Sequence, residues 1–447
     1  MTGGTEGILF LGVSTSGVAL IRRLAANLGD PRLLRLQAVF LVKVVAVLFV
    51  LRAGWMPMLS RESPSFGYDP QRYYFEAVTL LDAGFDPEVA RAANLNSTGI
   101  VWYYALVMAA FGKSPLAPAL VNTLVTLIAV LVLIEAGSRI RPVRGRTDWA
   151  LGLGMLLPDV IWFDALTARE TLVMSLLTIA TLGAGTALMG APGAGKRLAL
   201  ALSSLLILGL VRPAMLLPAV AAIGLLAVAV RPGPRRGRVL ASLAAVGAAV
   251  LLIAPAIGPF LGSYGVDLLR TLDEVLGGNK AQMETIAWGD RSIGRLLVSD
   301  SAAGSIAAML PRLVLFLVSP LGAVPLDPAR LAAGSWAGWQ AAMQGASALL
   351  NVALVPLALA GLGVALVDRG RRNDLVLHVP CWCLLLAIAA GNQIIQERYR
   401  VMGMLLLWGC FWLGRTAPRR LLAAAYALWF GTLALGGALV LAYKSAG

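Results

Sequence analysis

Residues 60–99 read SRESPSFGYDPQRYYFEAVTLLDAGFDPEVARAANLNSTG, the first long polar interruption in a chain that is otherwise nearly continuous hydrocarbon. Before this stretch lies the apolar run 37–59, and a membrane-spanning helix needs about 20 such residues. After it, apolar runs recur to the end of the chain with short cationic clusters between them. That alternation decides the fold class. Of 447 residues, 59% are apolar and 13% charged, and the mean hydropathy is +0.80, well beyond the composition of soluble domains. The apolar segments are continuous runs, which excludes the short alternating strands of an outer-membrane barrel. The expectation is an all-α, polytopic membrane protein.

The net charge of +14 raises the question of nucleic acid. The arginines, however, sit in short groups between apolar runs, the pattern of cytoplasmic loops under the positive-inside rule; no nucleic-acid partner is expected. Cys381, Cys383 and Cys410 all fall inside apolar runs, which argues against a disulfide framework or a zinc site. His378 is the single histidine and is read as structural, so histidine-based metal or triad chemistry drops out. No metal ligands are assigned.

The charge rule orders the spans. Residues 1–36, with Arg22, Arg23, Arg32 and Arg35, form a cytoplasmic N-terminal segment, and 37–447 form a single transmembrane domain. The first span, 37–59, leads into an external loop, 60–112. That loop ends in a short apolar run after Gly99, too short to cross; if it did cross, Arg139, Arg141, Arg144 and Arg146 would emerge outside. It is therefore read as a half-helix along the interface. Spans follow at 115–137, 148–166, 171–190, 198–211, 214–230 and 239–258. A second external loop, 259–342, holds another half-helix at 309–321. The last spans are 343–367, 375–391, 401–414 and 421–443. The total is about eleven, within a range of about ten to thirteen, with the C-terminus external. Pro158, Pro213, Pro218, Pro255 and Pro356 are expected to kink helices near span ends, and abundant Gly and Ala suit close helix packing.

With this topology the unusual polar residues gather on the external face. Asp69, Arg72, Tyr73 and Glu76 lie in the first loop. Asp159 and Asp164 lie at membrane depth near the end of the third span, with Arg169 and Glu170 just beyond. Arg212 ends the fifth span; Arg398, Tyr399 and Arg400 follow Glu397 at the end of the ninth. Asp290, Arg291 and Arg295 sit in the second loop. Ionisable residues within spans are expensive and mark function by default. A carboxylate can take a proton from an attacking hydroxyl, and arginine forks match phosphate oxygens. Each group also has a plainer role: Asp69 as a turn residue in Tyr-Asp-Pro, Arg169–Glu170 as an ion pair, and Arg398 and Arg400 as interfacial anchors.

An acid in a long first external loop followed by a short juxtamembrane helix resembles the GT-C superfamily of polyprenyl-dependent membrane glycosyltransferases. That superfamily includes aminoarabinose transferases, protein O-mannosyltransferases and the bacterial oligosaccharyltransferase. Phe111-Gly112-Lys113-Ser114 is similar to the turn after the family's short helix. Pro158 through Ala168-Arg169-Glu170 resembles a run in related polysaccharide-assembly proteins, and Arg398-Tyr399 resembles the pair ending a late span. The resemblance covers residues 37–190 and 380–415. It implies Asp69 as catalytic base, with the remaining external residues binding substrate. It implies a polyprenyl-phosphate sugar donor, a glycan, lipid or protein acceptor, and direct displacement with inversion in cell-envelope glycan assembly. The membrane would be a bacterial-type inner membrane. Pro70 follows Asp69 where the family often has a second acid, which leaves a divalent cation open. Two other functions stand beside this one: an O-antigen-type polymerase or ligase, and a lipid-linked sugar flippase or transporter.

Overall fold

The computed structural model describes residues 3–26, 33–52, 69–86, 88–89, 98–141, 149–166, 168–230, 237, 240–241, 308–318, 336–391 and 397–446. Most of the expected span 239–258 and of the loop 259–342, with Asp290, Arg291 and Arg295, lie outside the described residues, as do 60–68 and Arg144. Among the described residues all regular structure is helical. The chain opens with α1 (Gly3–Ala26), α2 (Leu33–Val50), α3 (Asp69–Asp82), α4 (Thr98–Phe111) and α5 (Leu116–Ile140). Next come α6 (Trp149–Gly152), α7 (Pro158–Ala165), α8 (Arg169–Leu188), α9 (Ala194–Val211) and α10 (Leu216–Ala229). The later elements are α11 (Met309–Val318), α12 (Trp336–Val367), α13 (Leu375–Gly391), α14 (Glu397–Val401), α15 (Met404–Gly414) and α16 (Arg419–Ala446).

Among the described residues six helices are long and apolar enough to cross a membrane: Leu116–Ile140, Arg169–Leu188, Ala194–Val211, Gly338–Val367, Arg369–Ala390 and Arg419–Ala438. They coincide with six of the stretches read as spans. The stretches 214–230 and 401–414 are shorter apolar helices, α10 with 14 residues and α15 with 11. The half-helices expected after Gly99 and near residue 309 are α4 and α11, of 14 and 10 residues.

The stretch 148–166 departs from expectation, because it is not one helix. A helical turn at α6 tightens into a 3-10 turn at Leu153–Leu156, Leu157 goes extended at φ −57°, ψ 131°, and α7 restarts at Pro158. Proline disfavours the α region for the residue before it but is well suited to the first helical position. Residues 1–36 are also more than a tail. Leu9, Val13 and Ile21 of α1 are buried, and Gly17 lets Phe40 of α2 approach so closely that any side chain there would overlap its ring.

At the centre stands α8, buried along its whole length from Glu170 to Leu188. Three of its hydroxyls are accommodated locally: Thr178 donates to Met174 O at 2.8 Å, Thr181 to Leu177 O at 2.7 Å and Thr186 to Leu182 O at 2.7 Å. Small residues bring its neighbours close, since a Cβ at Gly183 would stand 3.2 Å from the Ala201 methyl of α9. Charged clusters sit at both ends of the bundle. At one end Glu135 pairs with Arg139 at 2.9 Å and with Arg197, and Asp374 pairs with Arg141 at 2.5 Å and Arg371 at 3.1 Å. Arg197 lies near the start of α9 and Arg212 just past its end, so Arg212 belongs to the opposite end, roughly 22 Å away at 1.5 Å per residue.

Candidate anion-binding site

At the Arg212 end, helix termini from four parts of the chain converge. The first is the start of α8, where Ala168 is the N-cap with no side-chain cap and Arg169 and Glu170 occupy the first turn. An acid is favourable there because the helix N-terminus carries partial positive charge. The second is the break between α9 and α10. Pro213 pushes Arg212 to φ −153°, ψ 81°, and the Arg212 N–H closes α9 by donating to Leu208 O at 2.7 Å. The third is the short α14, with Arg398 and Tyr399. The fourth is α3, which brings Tyr73.

α3 is held in place from its far side. Tyr74 donates to Lys113 O at 3.1 Å, Lys113 pairs with Asp82, and Phe85 stacks on Trp102 with ring centroids 5.7 Å apart. The turn that receives it is Phe111-Gly112-Lys113-Ser114, where Gly112 takes φ +96°, strained for any residue with a Cβ. Ser114 Oγ accepts the Leu116 N–H at 3.3 Å and starts α5. α4 in turn abuts the Arg212 break: at Gly99 any side chain would overlap Leu210 O.

The converging side chains make an incomplete set of contacts. Glu170 Oε1 stands 3.9 Å from Arg169 Nε and 3.9 Å from Arg212 Nη1, too far for a hydrogen bond to either. The Arg212 and Arg398 guanidiniums lie 5.4 and 5.2 Å from the Tyr399 ring centroid, and Arg169 lies 5.6 Å from that of Tyr73. Arg212 Nε and Nη1, Glu170 Oε1 and Thr171 Oγ1 are covered yet have no hydrogen-bond partner among the described residues. Burial, then the neighbouring Arg169, loosen Arg212's hold on its proton relative to an ordinary arginine. Burial alone would raise the Tyr399 phenol, but the cations of Arg398, Arg212 and Arg169 outweigh it and hold it below the usual tyrosine range. Three guanidiniums are gathered near one carboxylate, and Arg212 keeps two donors without partners among the described residues. Such a set suits an anion rich in acceptor oxygens.

Of the residues singled out from sequence, Tyr73, Arg169, Glu170, Arg212, Arg398 and Tyr399 are brought together. Arg72 and Glu76 are not: they pair with each other at 2.6 Å along α3, with Arg72 largely exposed. Asp69 begins α3 one turn before Tyr73, and its side chain lies outside the described residues.

Asp159, Asp164 and Arg400 do not face the cluster either. Arg400 clasps Asp159 through Nε–Oδ2 at 2.6 Å and Nη2–Oδ1 at 3.2 Å, and donates to Gln344 O at 2.9 Å, with both partners fully buried. Asp164 pairs with Lys43 at 2.8 Å, also fully buried, while Lys43 donates to Val160 O and Thr126 donates to Asp164 Oδ2 at 3.2 Å. These are interior clamps between α7 and its neighbours, because a carboxylate in an apolar interior must find a cation. Lys43 and Thr171 were passed over in the sequence. A lysine inside an otherwise apolar run was the available signal for the first, and the second had none.

Among the described residues no group of His, Cys, Asp and Glu is arranged to hold a metal. Comparisons of the chain with protein-family models, with curated proteins and with solved structures found no match.

Proposed function

We propose that this protein is a membrane glycosyltransferase that moves a sugar from a polyprenyl-phosphate-linked donor to an acceptor at the external face. The observation that carries this is the Arg169–Arg212–Arg398 cluster, a built cationic site at one end of a bundle of apolar helices. A lipid phosphate needs that pairing of guanidinium forks with an adjoining hydrocarbon surface. In the proposed reaction the acceptor oxygen forms a bond to the anomeric carbon as the bond from that carbon to the phosphate oxygen breaks. The electron pair stays with the lipid phosphate, held by the arginines. The acceptor proton passes to Asp69, ionised near its ordinary pKa of about 4. Asp69 is favoured for this role by standing one turn before Tyr73, the residue of α3 that touches Arg169. With the positive-inside rule, the end bearing Arg139, Arg141, Arg197 and Arg371 is cytoplasmic, the N-terminus with it, and an eleven-span topology puts the C-terminus outside.

The same arginines also favour a second function, an O-antigen-type polymerase or ligase, in which the acceptor is itself a glycan. Purified protein in vesicles with a radiolabelled polyprenyl-phosphate sugar separates the cases. Label transferred to an acceptor supports the enzyme, and the acceptor's chemistry distinguishes the two. Label crossing the bilayer with no transfer would replace the enzyme with a flippase. Asp69→Asn should lower turnover by about 10²–10⁴-fold with donor binding intact; near-normal turnover would remove Asp69 from the chemistry.

A further inference from the structure

Arg398, Tyr399 and Arg400 are consecutive in α14, a helix of five residues. So short a helix is not stable by itself, and packing must fix where it points. Successive residues are about 100° apart around a helix of 3.6 residues per turn. Arg398 and Arg400 therefore leave α14 in nearly opposite directions, with Tyr399 between them. Arg400 points into the interior and grips three other elements. Its Nε and Nη2 take the two Asp159 oxygens of α7, at 2.6 and 3.2 Å. Nη2 also donates to Gln344 O of α12 at 2.9 Å, and Nη1 to Phe316 O of α11 at 3.5 Å. Asp159 is itself fixed, since its N–H donates to Ser347 Oγ of α12 at 2.9 Å. On the same turn of α14, the Tyr399 ring meets the Arg212 guanidinium at 5.4 Å.

We propose that Asp159 is a positioning residue for the anion site: through its clasp on Arg400 it sets the turn of α14 that lays Tyr399 against Arg212. The inference concerns the site of the function proposed above but rests on the packing of α14, so the two can fail separately. α7 itself supplies the comparison that separates positioning from general stability. It carries a second fully buried pair, Asp164 with Lys43 at 2.8 Å, which ties α7 to α2 and not to α14. The two pairs are alike in burial and differ in what they hold. Tyr399 reports the difference. Against burial, the cations of Arg398, Arg212 and Arg169 hold its phenol below the usual tyrosine range. Arg398 travels with Tyr399 on α14, so the clasp secures the share that comes from Arg212 and Arg169.

The test is the ultraviolet titration of the Tyr399 phenol in full-length protein in detergent, isolated in each background by subtracting the matching Tyr399→Phe protein. Asp159→Leu combined with Arg400→Met removes both charges and keeps the bulk, an exchange that buried pairs often tolerate without loss of stability. It should move the Tyr399 transition up by about one pH unit, the low end of what an opposite charge nearby contributes. Lys43→Met combined with Asp164→Leu should leave the transition where it is. An unmoved transition in the first exchange overturns the proposal. An equal move in both exchanges also overturns it, because α7 would then act only by holding the bundle together. Should the first exchange fail to fold, Arg400→Lys takes its place: it keeps a cation beside Asp159, loses the fork, and should shift the transition in the same direction. The titration uses no substrate, so its result stands whether or not the protein transfers sugar.

Discussion

Two arginines that stand two residues apart have opposite fates. Arg398 lies against the Tyr399 ring, whereas Arg400 is locked to Asp159 with no exposure. Breaking a buried pair leaves an uncompensated charge, so Arg400→Gln should destabilise the fold by about 3–5 kcal/mol, read as a lower unfolding midpoint in detergent. Arg398→Gln should leave that midpoint nearly unchanged and weaken anion binding instead. Tyr399 adds a pH signature. Its phenol lies below the ordinary tyrosine value, held there by the cations of Arg398, Arg212 and Arg169. A bound anion disfavours the phenolate, so by linkage affinity should fall as pH rises through the Tyr399 pKa. Tyr399→Phe should abolish that step, and an unchanged alkaline limb in the variant would place the titration elsewhere. The sequence made Arg398, Arg212, Arg169 and Tyr399 visible as charges and aromatics at span ends. It could not separate Arg398 from Arg400, because only packing shows which arginine meets Asp159, 241 positions away.

At the scale of elements, the site depends on how closely α4 passes the break between α9 and α10. Gly99 permits that contact, and a larger residue would overlap Leu210 O two positions before Arg212. Gly99→Val should displace the Arg212 turn and weaken farnesyl phosphate binding at least about tenfold, a loss of about 1.4 kcal/mol, with helix content by circular dichroism retained. The existence and type of the longest helices were legible, because apolar runs bounded by arginines leave little choice. The break at Leu157 was less so. Pro158 was visible, but a proline can either kink a span or restart a helix, and here the tertiary pull of Arg400 on Asp159 and of Lys43 on Asp164 accompanies the restart. The Phe-Gly-Lys-Ser turn has a physical account that its resemblance alone did not supply: positive φ at Gly112, a hydroxyl start for α5, and a lysine anchoring α3.

At the scale of the whole molecule, the bundle segregates its charges between two ends. At one end Glu135 and Asp374 are each paired with arginines, and at the other Glu170 stands out of hydrogen-bond reach of Arg169 and Arg212. In a cysteine-free background, Arg144→Cys should be shielded from an impermeant thiol reagent in intact cells and Ser263→Cys should react. External labelling at 144 would invert or re-thread the topology. The enclosure of α8 bears on how the protein is made. A helix with no lipid-facing side in the finished bundle must still enter the membrane before its neighbours surround it. Thr178, Thr181 and Thr186 satisfy themselves on carbonyls of their own helix, so the stretch from Leu176 to Leu188 presents little unmet polarity while it stands alone among lipid tails. Insertion and assembly can then occur in separate stages, with the most deeply enclosed element among those that need least help to wait.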